Sequence, residues 1–222
     1  MCKLIAVTNR KLCSGDFLDQ IKKLAANNVD MIVLREKDMN ERDYGKLAVQ
    51  VQEICRLHET ACVLHGHFGV ARRLEADGIH LPLLAAMKNR ENLRAVRMSG
   101  VSTHSVEQIQ LAEACFASYV FYGHVFSTEC KEGVPPRGLS RLAEACSASD
   151  VPVYALGGIS PENAGLALDA GAEGICLMSW AMRAKEDGIR RLARFCHCYQ
   201  RREVVRERDF FAGMEMRVQP AE

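Results

Sequence analysis

The chain has 222 residues, 48% of them apolar, and a formal net charge of +1. That length suits one large domain better than two, with enough apolar material for a sizeable core. The balanced charge excludes a general attraction for nucleic acid or anionic lipid, so any anion site must be local. No apolar run approaches the roughly 20 residues needed to span a bilayer. The start, Met1-Cys2-Lys3-Leu4-Ile5-Ala6-Val7, runs straight into Thr8-Asn9-Arg10 without the pattern of a secretion signal. A cytoplasmic address is expected, and the ten cysteines are expected to be thiols.

Short apolar runs alternate with amphipathic segments along nearly the whole chain. Strands are expected at 4–8, 31–36, 61–65, 78–81, 99–103, 119–123, 153–156 and 174–178. Their near-continuous apolar character is that of parallel strands covered on both faces. Helical stripes lie between them: Leu18, Ile21, Ala25; Leu47, Val51, Ile54; Ile109, Ala112; Leu166, Leu168, Ala170; and Ile189, Leu192, Cys196. Ser160-Pro161 is read as a helix start, with Ser as N-cap and Pro in the first helical position. Residues 82–90 and 127–137 are expected to be the longer loops. The second carries Gly133 and Pro135-Pro136 and suits a lid or a semi-rigid surface loop. Eight strands alternating with helices predict an α/β fold, a single (β/α)8 TIM barrel over residues 1–200. An open doubly wound sheet is the alternative. Residues 201–222 form a charged tail, expected to extend the last helix or fray.

In such a barrel the active site lies at the carboxyl ends of the strands. Strand two is followed there by Arg35-Glu36-Lys37, strand three ends in His65-Gly66-His67, and strand four in His80-Leu81-Pro82. Strand five gives Ser102-Thr103-His104-Ser105, strand six His124, Thr128 and Lys131, strand seven Gly157-Gly158, and strand eight Met178-Ser179. Strand ends are commonly polar because they meet water. Cations, hydroxyls, imidazoles and glycines gathered on one rim nevertheless describe a site.

Gly157-Gly158, ahead of a helix start, forms a candidate anion cradle with Met178 and Ser179. Turns also use paired glycines for positive φ. Arg35 and Lys37 point the same way if strand two continues, and together can clamp a carboxylate or phosphate. The competing expectation is an ion pair with Glu36 or Asp38. His124 is of the type that does acid–base work near neutral pH. His65 and His67 would chelate a metal only if His80 and further ligands converged, and Cys196-His197-Cys198 diverge on a helix. No metal is assigned to either.

These residues resemble the thiamine phosphate synthase superfamily over residues 3–198. The matching pieces are Val7-Thr8, Leu34-Arg35-Glu36-Lys37, Ala76-Asp77-Gly78-Ile79-His80-Leu81 and Gly100-Val101-Ser102-Thr103-His104-Ser105. Later come Gly123…Val125-Phe126…Thr128…Lys131, Ala155-Leu156-Gly157-Gly158-Ile159 and Gly171-Ala172-Glu173-Gly174. The synthase of that superfamily couples a pyrimidine diphosphate to a thiazole phosphate with Mg²⁺. Its pattern carries Asn-Asp after strand three and an Asp after the His-Leu of strand four. Here those places read His65-Gly66 and Pro82-Leu83-Leu84-Ala85-Ala86.

The synthase pattern also has proline where this chain has His124. Gly123-His124-Val125-Phe126…Thr128…Cys130-Lys131 is similar instead to the TenI-type thiazole tautomerases. That resemblance implies an isomerase aromatising the 2-carboxy-4-methylthiazole phosphate precursor, with His124 as its acid–base residue. The bound ligand would be a small thiazole phosphate. Gly157, Gly158, Met178 and Ser179 would hold its phosphate and Arg35, Lys37 or Lys131 its carboxylate, while His65, Ser102 and Thr128 line the site. No cofactor is expected, and neither nucleic acid nor membrane as partner; a homodimer is compatible with the chain. The alternatives are a thiamine phosphate synthase and a non-catalytic thiazole or thiamine phosphate-binding regulator.

Overall fold

The computed structural model describes residues 1–128, 131 and 133–199. The expected tail at 201–222 lies outside them. Eight parallel strands close into a barrel: β1 Lys3–Val7, β2 Met31–Leu34, β3 Ala61–His65, β4 Gly78–Pro82, β5 Ser99–Thr103, β6 Tyr119–Gly123, β7 Val153–Leu156 and β8 Gly174–Leu177. Pairing of Lys3 with Gly174 through Ala6 with Leu177 closes the ring and excludes the open sheet. Among the described residues no helix is long and apolar enough to cross a membrane.

The strands are apolar throughout because each faces two cores. Ile5, Val7, Val33, Val63, Phe121 and Cys176 fill the barrel interior. Their strand neighbours Leu4, Ala6, Ile32, Leu34, Cys62 and Leu64 pack outward against the helices. Each fully buried aliphatic side chain contributes about 1.5–3 kcal/mol.

The helices are α1 Phe17–Ala26, α2 Glu41–Leu57, α3 Phe68–Arg73, α4 Leu83–Lys88, α5 Arg90–Leu93 and α6 Val106–Ala114. After them come α7 Gly138–Ala148, α8 Ala164–Asp169, α9 Ser179–Arg183 and α10 Glu186–Cys198. Local capping sets several starts. Asp16, Asn40 and Ser105 each accept a backbone N–H from the first turn of α1, α2 and α6.

Four expectations need correction. Strand β2 stops at Leu34, so Arg35 and Lys37 lie in a loop and strand parity does not align them. The segment 82–90 is mostly helix α4, because Leu83-Leu84-Ala85-Ala86 are strong helix formers. Leu84 is 74% exposed there, which spoils the stripe that would have revealed it. Helix α8 begins at Ala164, not near Pro161, since the Ser160 N–H bonds to the Asn163 side chain at 2.8 Å and makes a separate turn. Its buried face is Ala164, Ala167 and Leu168, whereas Leu166 is exposed.

Candidate functional site

A cavity of about 380 Å³ opens at the carboxyl ends of the strands. His124 borders it, as do Arg35, Lys37, His65, Ser102, Thr128, Lys131, Gly157, Gly158, Met178 and Ser179. The residues expected to act on or bind the ligand therefore meet in one place.

The loop after β2 is fixed by a hydroxyl. Thr8 donates to Glu36 Oε1 at 2.7 Å and accepts the Arg35 backbone N–H at 2.9 Å. Glu36 also accepts the Arg10 backbone N–H and guanidinium, while Asp38 takes Arg10 and Lys11. The β1 side thus engages both carboxylates that the competing expectation paired with Arg35 and Lys37. Lys37 has its pKa lowered chiefly by the Arg35 charge, then by burial and by Lys131. Three cations consequently share one region of the cavity.

The two histidines after β3 separate. The Tyr44 hydroxyl donates to the Leu34 carbonyl at 2.6 Å and accepts the His65 backbone N–H at 3.0 Å, which holds His65 at the rim. Burial, then Arg35 and Lys37, push the His65 imidazole down to about 4, so it is neutral at physiological pH. His67 packs its ring 4.1 Å from that of Tyr44, leads into α3 and is not part of the cavity wall.

His124 is buried, and its Nε2 lies 3.1 Å from the Val134 carbonyl oxygen. A carbonyl only accepts, so Nε2 carries the hydrogen and Nδ1 is the basic nitrogen of the neutral ring. The following residues lie on the β7 turn, with Val125 N–H donating to the Leu156 carbonyl and Phe126 N–H to that of Gly157, both at 3.0 Å. Gly157 (φ +94°) and Gly158 (φ +66°) make this approach feasible. A Cβ at 157 would stand 2.7 Å from His124 Cα, and one at 158 would stand 2.7 Å from the Phe126 oxygen. The glycine pair is thus required by the loop carrying His124, a role its motif did not disclose.

Three wall residues were missed or left without a role. His80 and His104 line the cavity, and so does Trp180 from α9. Burial, then His65 and Arg35, hold the His80 imidazole well below its ordinary value. His104 Nδ1 donates to the Gly123 carbonyl at 2.5 Å, and its backbone N–H goes to Gln108 Oε1. Parity was the available signal for His80, since its neighbours Ile79 and Leu81 both belong to the outer core.

The chemistry of this wall favours anions and proton transfer. Among the described residues it contains no aspartate or glutamate, and no three His, Cys, Asp or Glu gather as a metal site.

A model of the family described as thiamine monophosphate synthase matches residues 4–181. The chain belongs to that family. Membership of the thiamine monophosphate synthase family assigns it to thiamine biosynthesis at the coarsest level. The thiamine-phosphate synthase of Coprothermobacter proteolyticus is 36% identical over 190 residues, which cover 83% of this chain and 89% of that one. The thiamine-phosphate synthase of Fusobacterium nucleatum is 29% identical over 188 residues, covering 83% and 91%. The solved thiamine phosphate pyrophosphorylase from Pyrococcus furiosus has a TM-score of 0.79 and 24% identity, covering 88% of this chain and 96% of that one. That last likeness concerns the fold. The relatives carry the name of the runner-up activity, not that of the tautomerase.

Proposed function

We propose that this member of the family is a thiazole tautomerase, aromatising a thiazole carboxylate phosphate by metal-free proton transfer. The observation that carries the reading is His124, anchored through Nε2–H in a wall of cations and imidazoles without a described carboxylate. In the substrate, one sp³ ring carbon bears the carboxylate, and an exocyclic double bond leads to the phosphate-bearing side chain. Nδ1 of His124 takes the proton from the ring carbon. The C–H electron pair enters the ring, and the exocyclic carbon receives the proton back from Nδ1. The carbonyl of Val134 keeps Nε2–H in place throughout and so stabilises the transient imidazolium. Arg35, Lys37 and Lys131 face the carboxylate, and the backbone around Gly157, Gly158, Met178 and Ser179 receives the phosphate, with His65, Ser102 and Thr128 completing the wall.

A second reading, coupling of a pyrimidine diphosphate to a thiazole phosphate, is favoured by the names of the relatives. The coupling needs Mg²⁺, a hard cation that takes oxygen ligands. The described wall does not fit that ion, because it holds no carboxylate and the two acidic positions of the synthase pattern read His65-Gly66 and Pro82-Leu83.

The test is to follow a thiazole carboxylate phosphate by NMR in D₂O with wild-type protein and His124→Ala. Wild type should aromatise it, and His124→Ala should be slower by about 10²–10⁴-fold. A wild-type rate equal to that of buffer would remove the tautomerase reading. Thiamine phosphate formed from the two heterocycles with Mg²⁺ would install the second.

A further inference from the structure

We propose that Tyr119 and His80 are positioning residues that set the Ser102 hydroxyl as a hydrogen-bond donor into the cavity, toward an acceptor oxygen of the ligand. The chain of contacts is continuous. The Tyr119 hydroxyl lies 3.2 Å from His80 Nδ1, and His80 Nε2 lies 2.8 Å from Ser102 Oγ. His80 is 1% exposed and Tyr119 3%.

Register brings them together. His80 pairs with Gly100 and Gly100 with Tyr119, so the two side chains stand at one level of the barrel with a glycine between them. A Cβ at residue 100 would strike both the Tyr119 hydroxyl and His80 Nδ1. The contact exists because that residue has no side chain. Phe121 packs its ring 4.2 Å from the imidazole and fixes its plane.

Proton bookkeeping then selects one arrangement. The environment disfavours imidazolium, since His80 is fully buried and the neighbouring Arg35 charge adds to the penalty. A neutral ring has one N–H. If Nδ1 carried it, the Tyr119 oxygen would accept that hydrogen, and the buried Tyr119 hydrogen would have no acceptor among the described contacts. If Nε2 carries it, Tyr119 donates to Nδ1, Nε2–H donates to Ser102 Oγ, and every buried group is used. Ser102 Oγ is then occupied as an acceptor from below, and its own hydrogen turns to the cavity it lines. The ligand must offer an acceptor there. On the tautomerase reading, on which only this last assignment rests, it is an oxygen of the ring carboxylate.

The experiment uses ¹⁵N-histidine-labelled full-length protein and two-bond ¹H–¹⁵N correlations, which distinguish the tautomers directly. His80 is expected as Nε2–H and unchanged from about pH 6 to 8. Tyr119→Phe, which keeps the ring packing, should lose that fixed tautomer. Calorimetric binding of the thiazole carboxylate phosphate should weaken about fivefold in Tyr119→Phe and about tenfold in Ser102→Ala. Tyr119→Phe should add nothing in the Ser102→Ala background. An Nδ1–H tautomer, titration of His80 in this range, or additive losses in the double variant would overturn the proposal. Failure of wild type to bind would overturn the ligand assignment. The tautomer measurement needs no turnover, so absence of aromatisation would sink the tautomerase reading without touching it.

Discussion

At the amino-terminal end of the barrel, Asp30 sits between Lys3 Nζ at 2.7 Å and His197 Nε2 at 2.9 Å and also accepts the Leu4 N–H. At the carboxyl end, Arg35, Lys37 and Lys131 approach one another beside imidazoles held neutral by burial. Burial alone would raise the Asp30 pKa, but Lys3, His197 and the backbone N–H outweigh it and the carboxyl ionises more readily than usual. Lys37 is displaced the other way from its ordinary state, made a weaker base by its like-charged neighbours. Charge at one end is complemented from within the chain and serves folding. At the other end Arg35 and Lys131 stand close enough to Lys37 to make it a weaker base, and on the proposed function a bound anion would ease that repulsion. On the proposed function, the difference separates residues that serve stability from residues that serve a ligand.

Substitutions can break that separation, and the largest effect is expected at Asp30. Asp30→Asn should cost about 2–3 kcal/mol in denaturant unfolding at neutral pH, because it leaves Lys3 and His197 without their carboxylate. Ligand affinity at the cavity should stay the same. The folded-state pKa of Asp30 lies below the ordinary 3.8, so its contribution is present above that value and disappears as the pH falls through the folded-state value. The gap between wild type and Asp30→Asn should therefore close in acid.

His65 sharpens the contrast with an opposite group. Its folded-state pKa is about 4 against an ordinary 6.5, so the unfolded chain binds the proton first on acidification. Stability is complete above 6.5 and should fall by about 1–2 kcal/mol from pH 7 to pH 5. In His65→Gln the urea midpoint should lose part of that slope, and the remainder should persist because His80 acts with the same sign.

The smallest effect is expected from Lys37→Met, about tenfold in affinity for an anionic thiazole with no loss of melting temperature. Wild-type affinity should also decline at a pH below the usual lysine value of 10.5, since the Lys37 charge is given up earlier. Unfolding by Lys37→Met on the scale of Asp30→Asn would erase the distinction between the two ends.

The barrel was legible because every strand is a short apolar run and every rim residue follows one. The strand sequences concealed which residues face inward, since the interior and the helix-packed layer are both apolar. Helix α4 was hidden by exposed Leu84 and Met87, which blur any amphipathic stripe. At the site, residue types and loop positions were enough to gather the cations, His124 and the glycines. The pairings were not readable in the same way. Tyr119 and His80 are 39 positions apart, and their contact depends on an intervening residue being glycine. Nor could Glu36 be seen turning toward Thr8 and Arg10, because its neighbours in sequence are the cations.

Gly123, Gly157 and Gly158 have a consequence for how this protein can change over generations. A methyl on Gly123 would meet the Leu156 oxygen, and methyls on the pair would meet the backbone of residues 124–127. Neither segment can drift alone, so the connection bearing His124 and the neighbouring bend are inherited as a single module. New chemistry in this barrel is more accessible by varying Arg35, Lys37 and His65 across the opening, where side chains rather than main chains meet.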